Sequence, residues 1–281
     1  MNNRTTAIRR QFNRSAEGLY DIHADVQRTM AAQLAKSLMG WFSARDADPL
    51  MMLEIGCGTG TLTELLIKQW PQASITALDI APTMIKVAEQ RFQSNQAADL
   101  RFIQSDVEIW AAEAPSDSFD LIVSSACFQW LSHPRQTISH LRRILRPGGL
   151  LLFTTFGPET FRELHQSFDA VYYANKMEPQ RHGLSVLSPE HWKDVLIEAG
   201  FSVIHSKQEI YKETYASPRD FLQSVKAIGA STSEATKIEG LSSRRLFTEM
   251  YKVYEEKYSI QGGVIATYEL LLIEAGGSES S

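Results

Sequence analysis

The sequence predicts an α/β fold: a mostly parallel seven-stranded sheet with an antiparallel edge hairpin, covered by helical cap insertions. Three observations predict it. Five short apolar runs alternate with helical stretches between residues 45 and 157, a glycine-rich turn joins the first run to the first helix, and two long strand-like segments follow. Strands alternating with helices imply right-handed crossovers and a parallel sheet covered on both faces.

The strand-like runs are residues 51–55, 74–78, 100–104, 119–124 and 150–156. Helical stretches fall at 61–70, 82–93 and 134–145. Pro82 stands where a first-turn proline is tolerated, and Pro147-Gly148-Gly149 stops the third helix and turns the chain into a strand. Ser188-Pro189-Glu190 starts a further helix that runs through Ala199 and ends at Gly200. Segments 202–215 and 264–274 form the antiparallel edge. Two helical insertions remain, at about 158–187 and 218–260. In the first, Phe161, Leu164, Phe168, Val171 and Tyr172 are spaced as one apolar helix face. With residues 1–40 these insertions form a cap over the strand ends. The chain thus reads as a single domain over 1–281, its core at about 45–157, 188–216 and 262–275, and Gly276 to Ser281 as a disordered tail.

Composition narrows the function. At 281 residues the chain can bury a sizeable core, and its 43% hydrophobic and 22% charged content is ordinary for a globular protein. No apolar run approaches the roughly 20 residues of a membrane helix. Cys57 and Cys127 offer neither a metal spacing nor a disulfide framework, which favours a cytoplasmic home. A net charge of −5 argues against a nucleic-acid partner. Arg4, Arg9, Arg10 and Arg14 precede the first acid, Glu17, as in a transit peptide, but they run into a patterned helix with no cleavage-like break. They belong to the folded protein, as a docking face for an acidic partner or as a solvated charged face.

The chemistry is concentrated at the ends of the strands. Glu54-Ile55-Gly56-Cys57-Gly58-Thr59-Gly60 lets the backbone turn sharply and approach a ligand, beside the unpaired N–H groups of a helix start. Asp79 follows at the end of the second strand, at the interval of about 20 residues suited to a ribose diol. The motif lacks the third small residue of a dinucleotide fingerprint, having Thr61 there, and contains no P-loop lysine. Glu54 stands where its carboxylate can meet a cationic amino-acid portion. In an open parallel sheet the ligand lies outside the carboxyl ends of the strands. Asp106 is therefore a candidate for the adenine amino group or, equally, a helix cap, with Val107 packing on the ring and Ile80 and Met84 flanking adenine and ribose. Cys57 is a small residue in the tight loop, and Cys127 is a packing residue. The stretch from Ser124 to Gln129 and Trp130 follows the fourth strand, facing the reacting group. Tyr20, His23 and Gln27 share a helix face with Ala16 and Ala24, either packed over a ligand or half-buried against the core.

The glycine motif, with Glu54 before it and Asp79 beyond, resembles the first motif of class I S-adenosylmethionine-dependent methyltransferases, which have a Rossmann-like fold. Phe12-Asn13-Arg14-Ser15-Ala16, Tyr20-Asp21-Ile22-His23-Ala24-Asp25-Val26-Gln27-Arg28, Phe128-Gln129-Trp130, Ser224-Val225-Lys226-Ala227-Ile228-Gly229-Ala230 and Ala266-Thr267-Tyr268-Glu269 resemble the malonyl-[acyl-carrier-protein] O-methyltransferases of biotin synthesis. The resemblance spans about residues 7–275, while 172–187 and 231–241 match nothing in it. It implies methyl transfer from S-adenosylmethionine to the free carboxylate of malonyl-acyl carrier protein, giving an ester that primes pimeloyl synthesis. Under it, Tyr20, His23, Gln129 and Trp130 are the candidates at the reacting group. Gln27, Glu54, Gly56, Cys57, Gly58, Gly60, Asp79, Ile80, Met84, Asp106, Val107 and Ser124 are the cofactor contacts. Arg14, Arg162 and Arg181 compete for the acceptor carboxylate. Docking an acidic carrier calls for a basic patch, with the amino-terminal arginines, Arg142-Arg143-Arg146 and Arg244-Arg245 as contributors. Two other readings stay open: a methyltransferase for another small molecule (a quinol, a phenol or a free dicarboxylate) and a non-catalytic cofactor-binding protein.

Overall fold

A computed structural model describes residues 3–16, 20–39, 49–93, 99–183, 185–229 and 243–277. The expected strands form β1 (Met51–Ile55), β2 (Ser74–Asp79), β3 (Asp99–Gln104), β4 (Phe119–Ser125), β5 (Leu145–Phe156), β6 (Val203–Tyr215) and β8 (Gly263–Gly276). A two-residue strand that the sequence did not signal, β7 (Ser259–Ile260), pairs with β8. The sheet runs β3-β2-β1-β4-β5-β8-β6. The five strands from β3 to β5 are parallel, and β8 lies antiparallel between β5 and β6. Strand order reverses direction between β1 and β4, so the crevice at their carboxyl ends is the natural ligand site.

Period-two alternation explains why both faces are dry. Leu53 and Ile55 of β1 pack with Ile122, Leu151 and Phe153 on one face, while Met52 packs with Ile75, Leu121, Leu150 and Leu152 on the other. The first face is covered by α7 (Pro134–Ile144) and α9 (Pro189–Glu198), the second by α3 (Asp25–Leu38) and α4 (Thr61–Gln69). Each of these fully buried leucines or isoleucines contributes about 1.5–3 kcal/mol of burial free energy.

Two boundaries differ from the sequence reading. Helix α7 ends at Ile144, and β5 already begins at Leu145, so Pro147-Gly148-Gly149 lies within the strand and its pairing with β4 shifts register between Phe119 and Leu121. A short helix, α6 (Val107–Glu113), follows β3; its amino-terminal N–H is capped by Asp106. Helix α5 (Pro82–Phe92) begins at Pro82 as expected, and Gly200 takes a left-handed φ of +90° after α9. Gly276 is the last residue of β8, and residues 278–281 of the expected tail lie outside the described residues.

The cap has its own apolar core. Leu164, Phe168, Val171 and Tyr172 of α8 (Arg162–Ala174) bury against Phe221 of α10 (Pro218–Ala227), Met250 and Tyr254 of α11 (Ser243–Tyr258), and Tyr268 of β8. Phe161, the fifth residue of the expected face, precedes the helix in a left-handed conformation with φ +61°. The amino-terminal residues form α1 (Asn3–Ala16) and α2 (Tyr20–His23), which lead into α3.

Candidate active site

The loop after β1 is built by its glycines. Gly56, Gly58 and Gly60 all have positive φ, at +72°, +55° and +89°. A Cβ on Gly56 would stand 2.5 Å from Cys127 Sγ, and one on Gly60 would stand 2.6 Å from Phe92 Cε2. The N–H groups of Gly56 and Cys57 both donate to the Leu78 carbonyl, at 2.8 and 2.9 Å, which ties the loop to the end of β2. Asp79 completes the tie: its Oδ2 accepts from Gly58 N at 2.9 Å and its Oδ1 from Ala81 N at 2.8 Å.

Three adjoining clefts open over these strand ends. The first spans about 790 Å³, including space open to solvent, and is lined by Ile55, Gly56, Gly58, Asp79, Ile80 and Met84, by Asp106 and Val107, and by Ser125 to Cys127 with Trp130. Thr5, Ile8 and Phe12 of α1 line it as well. A smaller one of about 380 Å³ lies between Glu54, the 56–59 loop, Ala24, Gln27 and Arg28. The remaining cleft, of about 720 Å³, runs between Gln27, Gln129, Phe156, Thr160, Phe161, His165, Arg181, Ile228 and Tyr268. Tyr20 lines all three. Phe12 meets Trp130 edge-to-face, with ring centroids 5.4 Å apart, where the first and the 720 Å³ clefts adjoin.

Burial sets the electrostatics. It raises the Glu54 carboxyl to about 7; the hydrogen bond from Thr63 Oγ1 to Glu54 Oε2, at 2.6 Å, and the nearby Asp79 act in smaller and opposite senses. Asp79 is raised to about 6, again by burial and against its backbone hydrogen bonds. The Tyr20 phenol is held well above its usual range by burial, then by Asp79 and Asp21, so it is an O–H donor at neutral pH. Cys127 is pushed up to about 12 by burial and Asp79, which agrees with a packing role rather than a nucleophile's.

Most of the expected cofactor residues come together here: Gln27, Glu54, Gly56, Cys57, Gly58, Asp79, Ile80, Met84, Asp106 and Val107 all line the first or the 380 Å³ cleft. Asp106 serves as both wall and cap, since its Oδ1 accepts from Glu108 N at 3.0 Å. Three expected residues are elsewhere. Ser124 points away from the clefts and donates to the Ile55 carbonyl at 2.9 Å; strand alternation turns Ser125 toward the first cleft instead. Gly60 caps α4 beneath Phe92. His23 ends α2 half-buried and lines none of the clefts, because the expected continuous helix breaks at Ala24, with φ −90° and ψ 34°. Gln129 lines the 720 Å³ cleft, but both ends of its amide are engaged: Nε2 donates to the Ala126 carbonyl at 2.7 Å and Oε1 accepts from Thr155 at 3.1 Å. The lining residues Thr5 and Ile8 carried no motif. Their helical spacing on an arginine-rich segment was the one available signal.

The donor and acceptor set fits S-adenosylmethionine. Glu54 is 1% exposed and spends one oxygen on Thr63, and among the described residues Gln27 Oε1 is buried without a hydrogen-bond partner. Both border the 380 Å³ cleft, where an unpartnered amide oxygen and the carboxylate oxygen that Thr63 does not bond suit an ammonium group. The larger neighbour, with Asp79 at one end and Val107, Ile80 and Met84 along its walls, suits a nucleoside.

Residues 23–206 match a family model described as a methyltransferase domain. Fold, loop and clefts together define a class I methyltransferase with S-adenosylmethionine as cofactor. The fold is shared with the YcgJ protein of Bacillus subtilis, at a TM-score of 0.60 and 15% identity over 89% of this chain and 100% of that one. It is shared also with Haemonchus contortus phosphoethanolamine N-methyltransferase 2, solved with S-adenosyl-L-methionine, at a TM-score of 0.52 and 19% identity over 87% of this chain and 52% of that one. Sequence relatives are more specific. The malonyl-[acyl-carrier protein] O-methyltransferase of Paenibacillus sp. (strain JDR-2) is 70% identical over 98% of this chain and 100% of its own. That of Brevibacillus brevis is 39% identical over 98% of this chain and 97% of its own. The chain belongs to the malonyl-[acyl-carrier protein] O-methyltransferase family.

Proposed function

We propose that this protein transfers a methyl group from S-adenosylmethionine to the free carboxylate of a malonyl thioester on acyl carrier protein. The observation that carries the reading is the make-up of the 720 Å³ cleft: its described lining includes no aspartate or glutamate, and one permanent cation, Arg181. Such a cleft suits an anionic acceptor. A carboxyl group with an ordinary pKa of about 4 is ionised at neutral pH, so the reaction calls for no general base. A quinol or phenol would call for one. In this cleft Tyr20 is held protonated, while His165, held below its ordinary value by burial and then by Arg181, is a neutral ring, so the charge of the lining and not the lack of a base favours the carboxylate.

Bound S-adenosylmethionine supplies an electrophilic methyl group. The chain's own residues bind, orient and exclude water. Glu54 and Gln27 would hold the ammonium end, and Asp79 the ribose. Tyr20, bordering all three clefts, would donate its O–H at their junction. Gln129, bonded at both ends, would act as a wall that keeps the Ala126 turn and Thr155 in place, and Trp130 with Phe12 would narrow the passage between cofactor and acceptor.

The carrier's acidic surface would meet cations at the mouth of the cleft. Arg10 and Arg14 are exposed on α1, whose Phe12 lines the cleft, and Lys226 is exposed two residues before the lining residue Ile228. Arg143 is otherwise engaged, donating to the carbonyls of Ala111 and Ala114 at 2.8 and 2.7 Å, and Arg146 pairs with Asp120 at 2.8 Å. A cytoplasmic home belongs to the same proposal; no helix among the described residues is long and apolar enough to cross a membrane. Intact-mass analysis of malonyl-acyl carrier protein after incubation with enzyme and cofactor tests the reading, with the acetyl form as control. One added methyl on the malonyl form alone is expected, and its absence with cofactor still bound would overturn the assignment.

A further inference from the structure

The structure assigns recognition of the acceptor's carboxylate to Arg181, held in place by its neighbour His182; this rests on the malonyl reading above. Of the three arginines that could compete for a carboxylate, only Arg181 lines the 720 Å³ cleft. Arg162 and Arg14 line none of the three clefts.

The segment after α8 explains how Arg181 comes to its position. Residues 181 and 183 line the cleft, while His182 between them turns inward and is 7% exposed. Its ring stacks on Phe168 with centroids 3.6 Å apart and planes at 15°, and its Nε2 lies 2.6 Å from the Tyr172 hydroxyl. Two side chains of α8 therefore fix the backbone on which Arg181 stands. A third side chain of α8 is close as well: a Cβ on Gly183 would lie 3.6 Å from His165 Cε1. An ionised carboxylate entering an aromatic-walled cleft loses water and must be repaid by a paired cation. A guanidinium does this with two parallel N–H donors, and it leaves carboxylate lone pairs free for reaction.

The test is binding rather than turnover, and it uses the intact protein with cofactor. Dissociation constants are measured for malonyl- and acetyl-acyl carrier protein with wild type and with Arg181→Gln. Tyr172→Phe, which removes the hydrogen bond and keeps the stack, is the second variant. Arg181→Gln is expected to weaken the malonyl form about 30-fold or more, the cost of removing one partner of a desolvated charge pair. The acetyl form, lacking the carboxylate, should change by less than about threefold, within roughly 0.7 kcal/mol. Tyr172→Phe should lower the preference for malonyl in the same direction, with S-adenosylmethionine affinity unchanged. Equal weakening of both carriers would mean that Arg181 touches the carrier or its prosthetic arm, and would overturn the assignment. So would no change in either. A wild-type protein that does not distinguish the two carriers would instead sink the malonyl reading.

Discussion

Asp21 bolts the amino-terminal helices to the cofactor loop: Thr59 Oγ1 donates to its Oδ1 at 2.6 Å and Arg91 Nη2 to its Oδ2 at 2.8 Å. Asp21 adjoins Tyr20 in α2, Thr59 belongs to the glycine loop, and Arg91 comes from the last turn of α5. A third attachment, from Thr83 N to Asn13 Oδ1 at 3.0 Å, fastens α1 over the start of α5. Asp21→Ala should therefore loosen the cover rather than the sheet. Its half-exposed pair with Arg91 adds little, so the loss of about one net hydrogen bond sets the scale, roughly 1 kcal/mol. S-adenosylmethionine should dissociate several-fold faster, as read by stopped-flow fluorescence. An unchanged off-rate would show that α1 and α2 do not gate the cofactor.

Glu54 predicts a pH dependence with a definite sign. Its carboxyl is raised to about 7 by burial, against about 4.3 in an unfolded chain. The folded state thus holds the proton more tightly. Its stabilising contribution is complete below about pH 4 and is lost as pH rises through about 7. Asp79, raised to about 6, acts in the same direction. Glu54→Gln should remove much of the fall in melting temperature between pH 5 and 8, an effect on the order of 3 kcal/mol. A cationic ligand reverses the preference, so S-adenosylmethionine should bind more tightly as pH rises over the same range, releasing protons. Calorimetry in buffers of different ionisation heat would detect them.

Gly56 and Gly58 should respond differently to alanine. At Gly56 the added methyl meets Cys127 Sγ at 2.5 Å on a backbone with φ +72°, so both overlap and strain oppose it. At Gly58 the nearest atom is the Tyr20 hydroxyl oxygen at 4.0 Å, which leaves only the strain of φ +55°. Gly56→Ala should cost about 3 kcal/mol or more, and Gly58→Ala about 1–2 kcal/mol, with weaker cofactor binding because Gly58 borders the ligand cleft. Thermal melts of both variants would decide it; equal losses would contradict the geometry.

Tyr20→Phe keeps the ring that borders all three clefts and removes the donor. Loss of one hydrogen bond to a charged acceptor is about 1.5–3 kcal/mol, or roughly ten- to a hundredfold in kcat/KM. The melting temperature should hardly move. A variant with wild-type turnover would remove the hydroxyl from the reaction.

Charge reversal at Arg10 and Arg14 should raise KM for malonyl-acyl carrier protein and flatten its salt dependence, because exposed charge contacts are screened. Arg143→Ala should behave in the opposite way. Its side chain donates to the Ala111 and Ala114 carbonyls and to Ser116, so the variant should lose stability and leave KM unaltered. Steady-state kinetics at two ionic strengths separates the two behaviours.

The sheet and the cofactor loop were legible because local rules generate them. Apolar runs of strand length, Pro82 at a helix start, Gly200 at a helix end and the glycines of the loop carry their conformations in residue type and spacing. Glu54 and Asp79 could be picked out for the same reason: each stands at a fixed interval from the turn. Ser124 was expected at the ligand, but a strand's alternation has two phases; the structure turns its hydroxyl to the Ile55 carbonyl and places Ser125 in the cleft lining. His23 was grouped with Tyr20 and Gln27 on the assumption of one helix, and the break at Ala24 has no proline or glycine to announce it.

By itself, then, the sequence determined the α/β core, the chemistry of the cofactor and, through resemblance, the family. Tertiary structure alone decided that Thr5, Ile8 and Phe12 line the 790 Å³ cleft, that Thr63 binds Glu54, that Asp21 reaches Thr59 and Arg91, and that Arg181 lines the 720 Å³ cleft while Arg162 does not. The physical reason is range. Backbone conformation follows from neighbours a few residues apart, whereas a cleft is walled by side chains from distant segments whose meeting depends on how the whole core packs.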